Sequence, residues 1–183
     1  LLEIPNIFLY SLQVGEDAAK IQPWLAHHRV YDLSHLLINF KVTCAIIEQL
    51  DLVITVDTAV AHLAGAMGKP VWILLPFVPD WRWLLDRNDT PWYPTMKLFR
   101  QPSIGDWKSV FEEVKQALLH RQQFQQKTII PQSSHPTIMN QSSQPFPVFT
   151  QQLKLASQLH EQGKLKEAEA IYQQVLTANP NND

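Results

Sequence analysis

The hexapeptide Asp57-Thr58-Ala59-Val60-Ala61-His62 brings a carboxylate, a hydroxyl and an imidazole together between two apolar runs. The pattern reads as a buried strand, a polar turn and the first turn of a helix. Free backbone N–H groups and the positive end of the helix dipole converge at such a turn, which is where an open α/β sheet binds anions. The Thr58 hydroxyl and the N–H groups of Ala59 and Val60 suit a diphosphate. His62 lies one helical turn beyond Thr58 on the same face, within reach of a phosphate oxygen, where it would stabilise a departing phosphate. Asp57 repels phosphate, so its role is either to accept hydrogen bonds from hydroxyl groups of a ligand or to fix the turn. The same residues also suit a capped helix carrying a solvated histidine, since Asp and Thr are good caps.

The elements that must position this turn are legible around it. Leu52–Val56 and Val71–Leu75 are nearly continuous apolar runs, as expected of strands covered on both faces. Ile7–Leu12, His28–Asp32 and Met96–Phe99 predict further strands, and a short helix is expected near Asp17–Ile21. Thr43 is placed as the N-cap of a helix to Leu50, with apolar residues at 46, 47 and 50. Val110, Val114 and Leu118 predict an amphipathic closing helix over Ser109–Leu119. Strands alternating with helices argue for an α/β fold with a Rossmann-like parallel sheet. No Gly-x-Gly-x-x-Gly run is present, which disfavours a dinucleotide oxidoreductase.

The hexapeptide resembles the Asp-Thr-Gly-x-x-His signature of heptosyltransferase-type glycosyltransferases. The stretch continuing through Gly68-Lys69-Pro70, Pro76-Phe-Val-Pro-Asp80-Trp81-Arg82-Trp83 and Trp92–Arg100 is similar to a bacterial subgroup that joins tetratricopeptide repeats to a transferase module. That subgroup is itself distantly similar to the O-linked N-acetylglucosamine transferases. The resemblance covers about Ile7 to Leu119 and is specific from Leu50 to Gln101. It implies a GT-B fold of two Rossmann-like halves, of which this chain resembles the carboxyl-terminal, donor-holding one. Asp57, Thr58 and His62 then belong to the donor site of an inverting sugar transfer, with Ala59 beside them and His62 as the catalytic group. The substrate is a nucleotide-diphosphate sugar. Neither a cofactor nor a metal is required, because the resemblance leaves the leaving group to helix dipoles and side chains. The general base ordinarily comes from the amino-terminal half, so this chain is expected to bind donor weakly and not to turn over alone.

Thr43 would present a second hydroxyl to the same cleft. The subgroup ordinarily has an Asp immediately before this Thr and another a few residues earlier, where this chain has Val42 and Asn39. Ser11 and Gln13 end the first strand, where the subgroup reads Ser-Leu-Gln, and either contact phosphate or base or cap the strand. Lys69 is read as part of a structural turn. Trp81, Trp83, Trp92 and Tyr93 either stack on a sugar or base or pack a long loop on the sheet, the packing role being favoured. Arg82 pairs with phosphate or with Asp80 or Asp86. His27, His28 and His35 have no ligand spacing.

Three segments are expected: a Rossmann-like nucleotide-sugar-binding half over 1–121, a Gln/Ser/Pro-rich flexible linker over 122–148, and one helical-hairpin repeat over 149–183. In the last, Ala156, Gly163, Ala168, Tyr172 and Pro180 resemble the tetratricopeptide pattern, which implies a protein or peptide partner. A single repeat buries too little to stand alone. The alternative to an enzyme is therefore a non-catalytic interaction scaffold with a relic transferase domain.

Composition bounds the rest. The 183 residues carry a net charge of −2, which gives no argument for nucleic acid or an anionic membrane. Cys44 is the sole cysteine, excluding an internal disulfide and favouring a reducing, cytoplasmic setting. No apolar run reaches the roughly 18–20 residues of a membrane span. The start has neither an initiator Met nor a signal-peptide pattern, so the chain is expected to be a fragment.

Overall fold

The computed structural model describes residues 1–128, 151–152, 155–156, 158–159, 162 and 164–177. Contacts divide the chain into two compact units, residues 1–50 with 144–183 and residues 51–143. Among the described residues both are mixed α/β in composition and every strand pair is parallel.

The 51–143 unit is built around three strands, β3 (Val53–Thr55), β4 (Val71–Leu75) and β5 (Met96–Arg100), in the order β3-β4-β5. Val53 pairs with Val71, and Val71 with Met96. All five residues of β4 are buried, as a central parallel strand requires. Trp72 packs on Phe99 of the neighbouring strand with ring centroids 5.2 Å apart. Helix α2 (Ala59–Ala66) makes the crossover from β3 to β4. It ends in a Schellman turn, in which the Gly68 N–H bonds the Gly65 carbonyl at 3.0 Å and the Lys69 N–H bonds the Ala64 carbonyl at 3.0 Å. Gly68 sits at φ +70°, the left-handed conformation that this turn demands. Gly-Lys-Pro is thus a structural turn, as the sequence indicated.

After β5 comes α3 (Trp107–Thr128), which buries Val110, Val114 and Leu118 along one stripe. Asp106 opens it, accepting from the Ser109 N–H at 3.1 Å and the Ser109 hydroxyl at 2.7 Å. The helix runs to Thr128, through residues 122–128 that the composition assigned to a linker. Residues 129–148 of that segment lie outside the described residues.

In the other unit, β1 (Leu9–Ser11) pairs in parallel with β2 (Val30–Asp32) as a separate two-stranded sheet. The connection between them is a 3-10 helix, Gly15–Trp24. Helix α1 (Phe40–Glu48) starts three residues before the expected Thr43, and Asn39 is its cap, accepting from the Val42 N–H at 3.0 Å. The apolar spacing at 46, 47 and 50 hid this first turn because Phe40, at its head, is exposed. Val42, Ala45 and Ile46 cluster with Leu33 and Leu36, and the cluster is completed by Ala156 and Ala168. Ala168 belongs to α4 (Leu165–Thr177), which packs on α1. Residues 151–152, 155–156 and 158–159 are also helical. Gly163 and Pro180 lie outside the described residues, as does the Tyr172 side chain. Among the described residues, no helix is long and apolar enough to cross a membrane.

Candidate functional site

The site grows from the end of β3. Thr55 closes the strand, and the chain turns through Val56 and Asp57 into α2. Thr58 is the N-cap residue, with extended dihedrals of φ −141° and ψ 168°. Its hydroxyl makes no capping bond and instead lies 3.1 Å from the Thr55 hydroxyl. The first N–H groups of a helix have no acceptor within the helix itself. With the Thr58 side chain turned back to the strand, Ala59 and Val60 offer theirs outward at the positive end of α2.

His62 stands beside this opening with its side chain about one-third exposed (36%). Three neighbours hold the ring. Trp83, fully buried, stacks on it at 5.4 Å between centroids and 20° between planes. The Tyr93 hydroxyl is 3.2 Å from Nδ1, and Asp57 Oδ1 is 3.5 Å from Nε2. Arg82 closes the chain of charges: its guanidinium is 4.0 Å from Asp57 Oδ2 and 3.3 Å from Asp80 Oδ1. Asp57 therefore meets two positive or potentially positive groups, which offsets its repulsion of an incoming phosphate.

The loop between β4 and β5 supplies Trp83, Arg82 and Tyr93, and internal hydrogen bonds hold it in place. Asp80 caps the 3-10 turn Trp81–Trp83 by accepting from the Arg82 N–H at 3.0 Å. Trp92 Nε1 donates to the Arg82 carbonyl at 2.8 Å. Arg100, at the end of β5, donates to the carbonyls of Trp83 at 2.5 Å and Arg87 at 2.9 Å. Burial pulls the Arg100 guanidinium below its usual range, with Asp86 opposing the shift. Buried Gln101 accepts from the N–H groups of Phe77 and Gly105. Of the four loop aromatics named from sequence, Trp83 packs, Tyr93 reaches the imidazole, and Trp81 and Trp92 remain largely exposed.

The other sequence candidates belong to the 1–50 unit. Thr43 is buried within α1 and its hydroxyl donates to the Asn39 carbonyl at 3.0 Å, so that proton is already committed. Ser11 ends β1 and its hydroxyl accepts a long contact from the Gln13 N–H at 3.4 Å, while Gln13 is exposed. Sequence reasoning missed Gly65, whose lack of a side chain admits Tyr93, because nothing in the local pattern announces a partner 28 residues on. Among the described residues, no group of three His, Cys, Asp or Glu side chains is gathered as a metal site. A groove of about 750 Å³ between β5 and α3 is lined by Trp72, Lys97, Glu112, Glu113 and His120, among others. None of the hexapeptide residues line it, and its mixed charges select no ligand, so the turn at 57–62 is the better candidate site.

Residues 34–74, from the short turn before α1 through α2 to β4, match the model of glycosyltransferase family 9 (heptosyltransferase). The chain is also similar to Protein FlbA of Caulobacter vibrioides, at 28% identity over 127 residues. That alignment covers 64% of this chain and 20% of FlbA, so the chain spans about a fifth of its relative's length. No solved structure matches. The likeness to a glycosyltransferase thus falls on the segment that carries the hexapeptide.

Proposed function

We propose that the chain is the donor-binding part of a glycosyltransferase, holding the diphosphate of a nucleotide sugar at the amino end of α2. The observation that carries this reading is the family 9 match across the turn where Thr58, the N–H groups of Ala59 and Val60, and His62 converge. In the transfer, the acceptor oxygen forms a bond to the anomeric carbon as the bond from that carbon to the β-phosphate oxygen breaks. The electron pair leaves with the nucleoside diphosphate. Helix N–H groups and an imidazole N–H are suited to the charge that grows on that phosphate. Asp57, held between Arg82 and His62, is placed to accept from sugar hydroxyls. The acceptor's proton goes to a base outside these residues, so this chain binds donor without turning over.

The described alanines of the carboxyl-terminal hairpin, Ala156 and Ala168, are used against α1 of the same unit, which supports a structural role for it over capture of an outside partner. Calorimetric titration of the folded chain with uridine, adenosine and guanosine diphosphates tests the proposal. Heat of binding is expected with one of them, and a folded chain that binds none would overturn it.

A further inference from the structure

Gly65 is a glycine in the last turn of α2, still at a helical position where alanine is the more favourable residue. Its backbone does not need glycine, since it is not among the residues at positive φ. Its use is space. A Cβ built there would lie 2.7 Å from Tyr93 Cγ and 2.9 Å from Cδ1, closer than side chains pack. It would also lie 2.2 Å from Met96 Cε, but that is the free end of a flexible chain and can yield. Tyr93 Cγ is the root of its ring and can move only if the whole ring swings away. Gly65 therefore sets how closely Tyr93 approaches α2, and His62 lies three residues before it on the same helix face.

The Tyr93 hydroxyl then reaches His62 Nδ1 at 3.2 Å, while Nε2 is 3.5 Å from Asp57 Oδ1. An ionised carboxylate only accepts hydrogen bonds, so this contact favours the proton on Nε2. Nδ1 is then the acceptor and the tyrosine hydroxyl the donor. Asp57 thus selects one neutral tautomer, the tyrosine hydroxyl matches it by donating to Nδ1, and Trp83 fixes the ring plane by stacking. Arg82 faces this chain through Asp57 at 4.0 Å, and Asp80 lies behind it, 3.3 Å from the guanidinium.

We infer that Gly65 and Tyr93 are positioning residues for His62, the vacant helix position seating the tyrosine ring so that its hydroxyl holds the imidazole as an Nε2–H donor at the amino end of α2. Its consequence for ligand binding rests on the donor-site reading, because a phosphate oxygen needs a donor and not a bare nitrogen lone pair.

Nitrogen-15 NMR of the His62 ring in the full chain, at about pH 8.5 where an ordinary imidazole is neutral, reads the tautomer directly. The wild type is expected as a single Nε2–H form with Nδ1 a hydrogen-bonded acceptor. Tyr93→Phe keeps the ring and removes the proton, and should move the Nδ1 resonance downfield toward that of an unbonded acceptor. Gly65→Ala should produce the same movement, and in a Tyr93→Ala background it should add none. A wild-type His62 protonated at Nδ1, or a folded Tyr93→Phe chain with an unmoved Nδ1 resonance, would overturn the inference. Nucleoside diphosphate affinity should fall about fivefold in Tyr93→Phe. If the wild type binds no diphosphate while the ring signals behave as described, the donor-site reading fails and the positioning of His62 stands.

Discussion

Asp57 is the residue whose charge argues most directly against phosphate, and its surroundings explain how it is tolerated. His62 at 3.5 Å and Arg82 at 4.0 Å share its charge. If Asp57 serves sugar hydroxyls, Asp57→Asn should tighten binding of a free nucleoside diphosphate and weaken that of the matching nucleotide sugar, each by about threefold to tenfold. Calorimetry with the two ligands measures the ratio, and equal changes in both would contradict the role. Trp83 presents a different residue-scale problem. It is fully buried, and its Nε1 is the buried side-chain polar atom without a hydrogen-bond partner among the described residues. Leaving such a donor unpaired costs about 1–3 kcal/mol. Trp83→Phe removes that cost while shrinking the ring, so it should change stability by less than about 1.5 kcal/mol, whereas Trp83→Ala should lose about 3–5 kcal/mol. Chemical denaturation distinguishes these. The sequence named Asp57, Thr58 and His62 because all three lie within six consecutive residues, with His62 one helical turn beyond Thr58. It favoured packing for all four loop aromatics and did not single out Trp83 or Tyr93, because which ring turns inward depends on Arg100 and Gln101 fastening a loop some residues before them.

At the scale of elements, the carboxyl end of α2 is fixed by local chemistry that the sequence shows plainly. Gly68 at φ +70° has open space around its missing Cβ, so Gly68→Ala isolates the backbone cost. A loss of about 1–2 kcal/mol is expected, read as a lowered thermal midpoint. Helix α3 gives a pH signature. The Ser109 hydroxyl and backbone N–H hold the Asp106 carboxyl below its ordinary value of 3.8. A carboxyl lowered in the folded state stabilises the fold above its unfolded pKa and loses that effect as the pH falls through the folded value. Asp106→Asn should therefore narrow the stability difference between neutral and acid solution, with the change confined to pH below about 4 to 5. Thermal midpoints followed across that range test it, and a variant that tracks the parent throughout would contradict the cap. Helix α1 was misplaced by one turn from sequence. Its true cap, Asn39, precedes an exposed Phe40, so the hydrophobic period begins only after the helix has already started.

The molecule as a whole shows where sequence patterning stops. Parallel strands joined by helices were legible because β3 and β4 are continuous apolar runs. The separation of β1 and β2 into their own sheet was not, because a three-residue strand carries no record of its neighbour. Nor was the core that joins Val42, Ala45 and Ile46 to Ala156 and Ala168, since alanines more than a hundred residues on give no local sign of a partner. Ala168 is fully buried, so Ala168→Glu should force a charge into that cluster and destabilise the 1–50 and 144–183 unit by at least about 3 kcal/mol. Amide exchange should report it as lost protection in α1 with β4 unchanged. Equal loss in both would contradict the division into two units.

The amino end of α2 is tested most directly by amide-resolved NMR of the whole chain during titration with a nucleoside diphosphate. The largest shifts should fall on the backbone amides of Ala59 and Val60 and on the His62 ring, and they should shrink in His62→Ala as affinity drops about tenfold. Saturable shifts that instead cluster on Lys97 and His120, with Ala59 and Val60 unmoved, would contradict a diphosphate site at this helix.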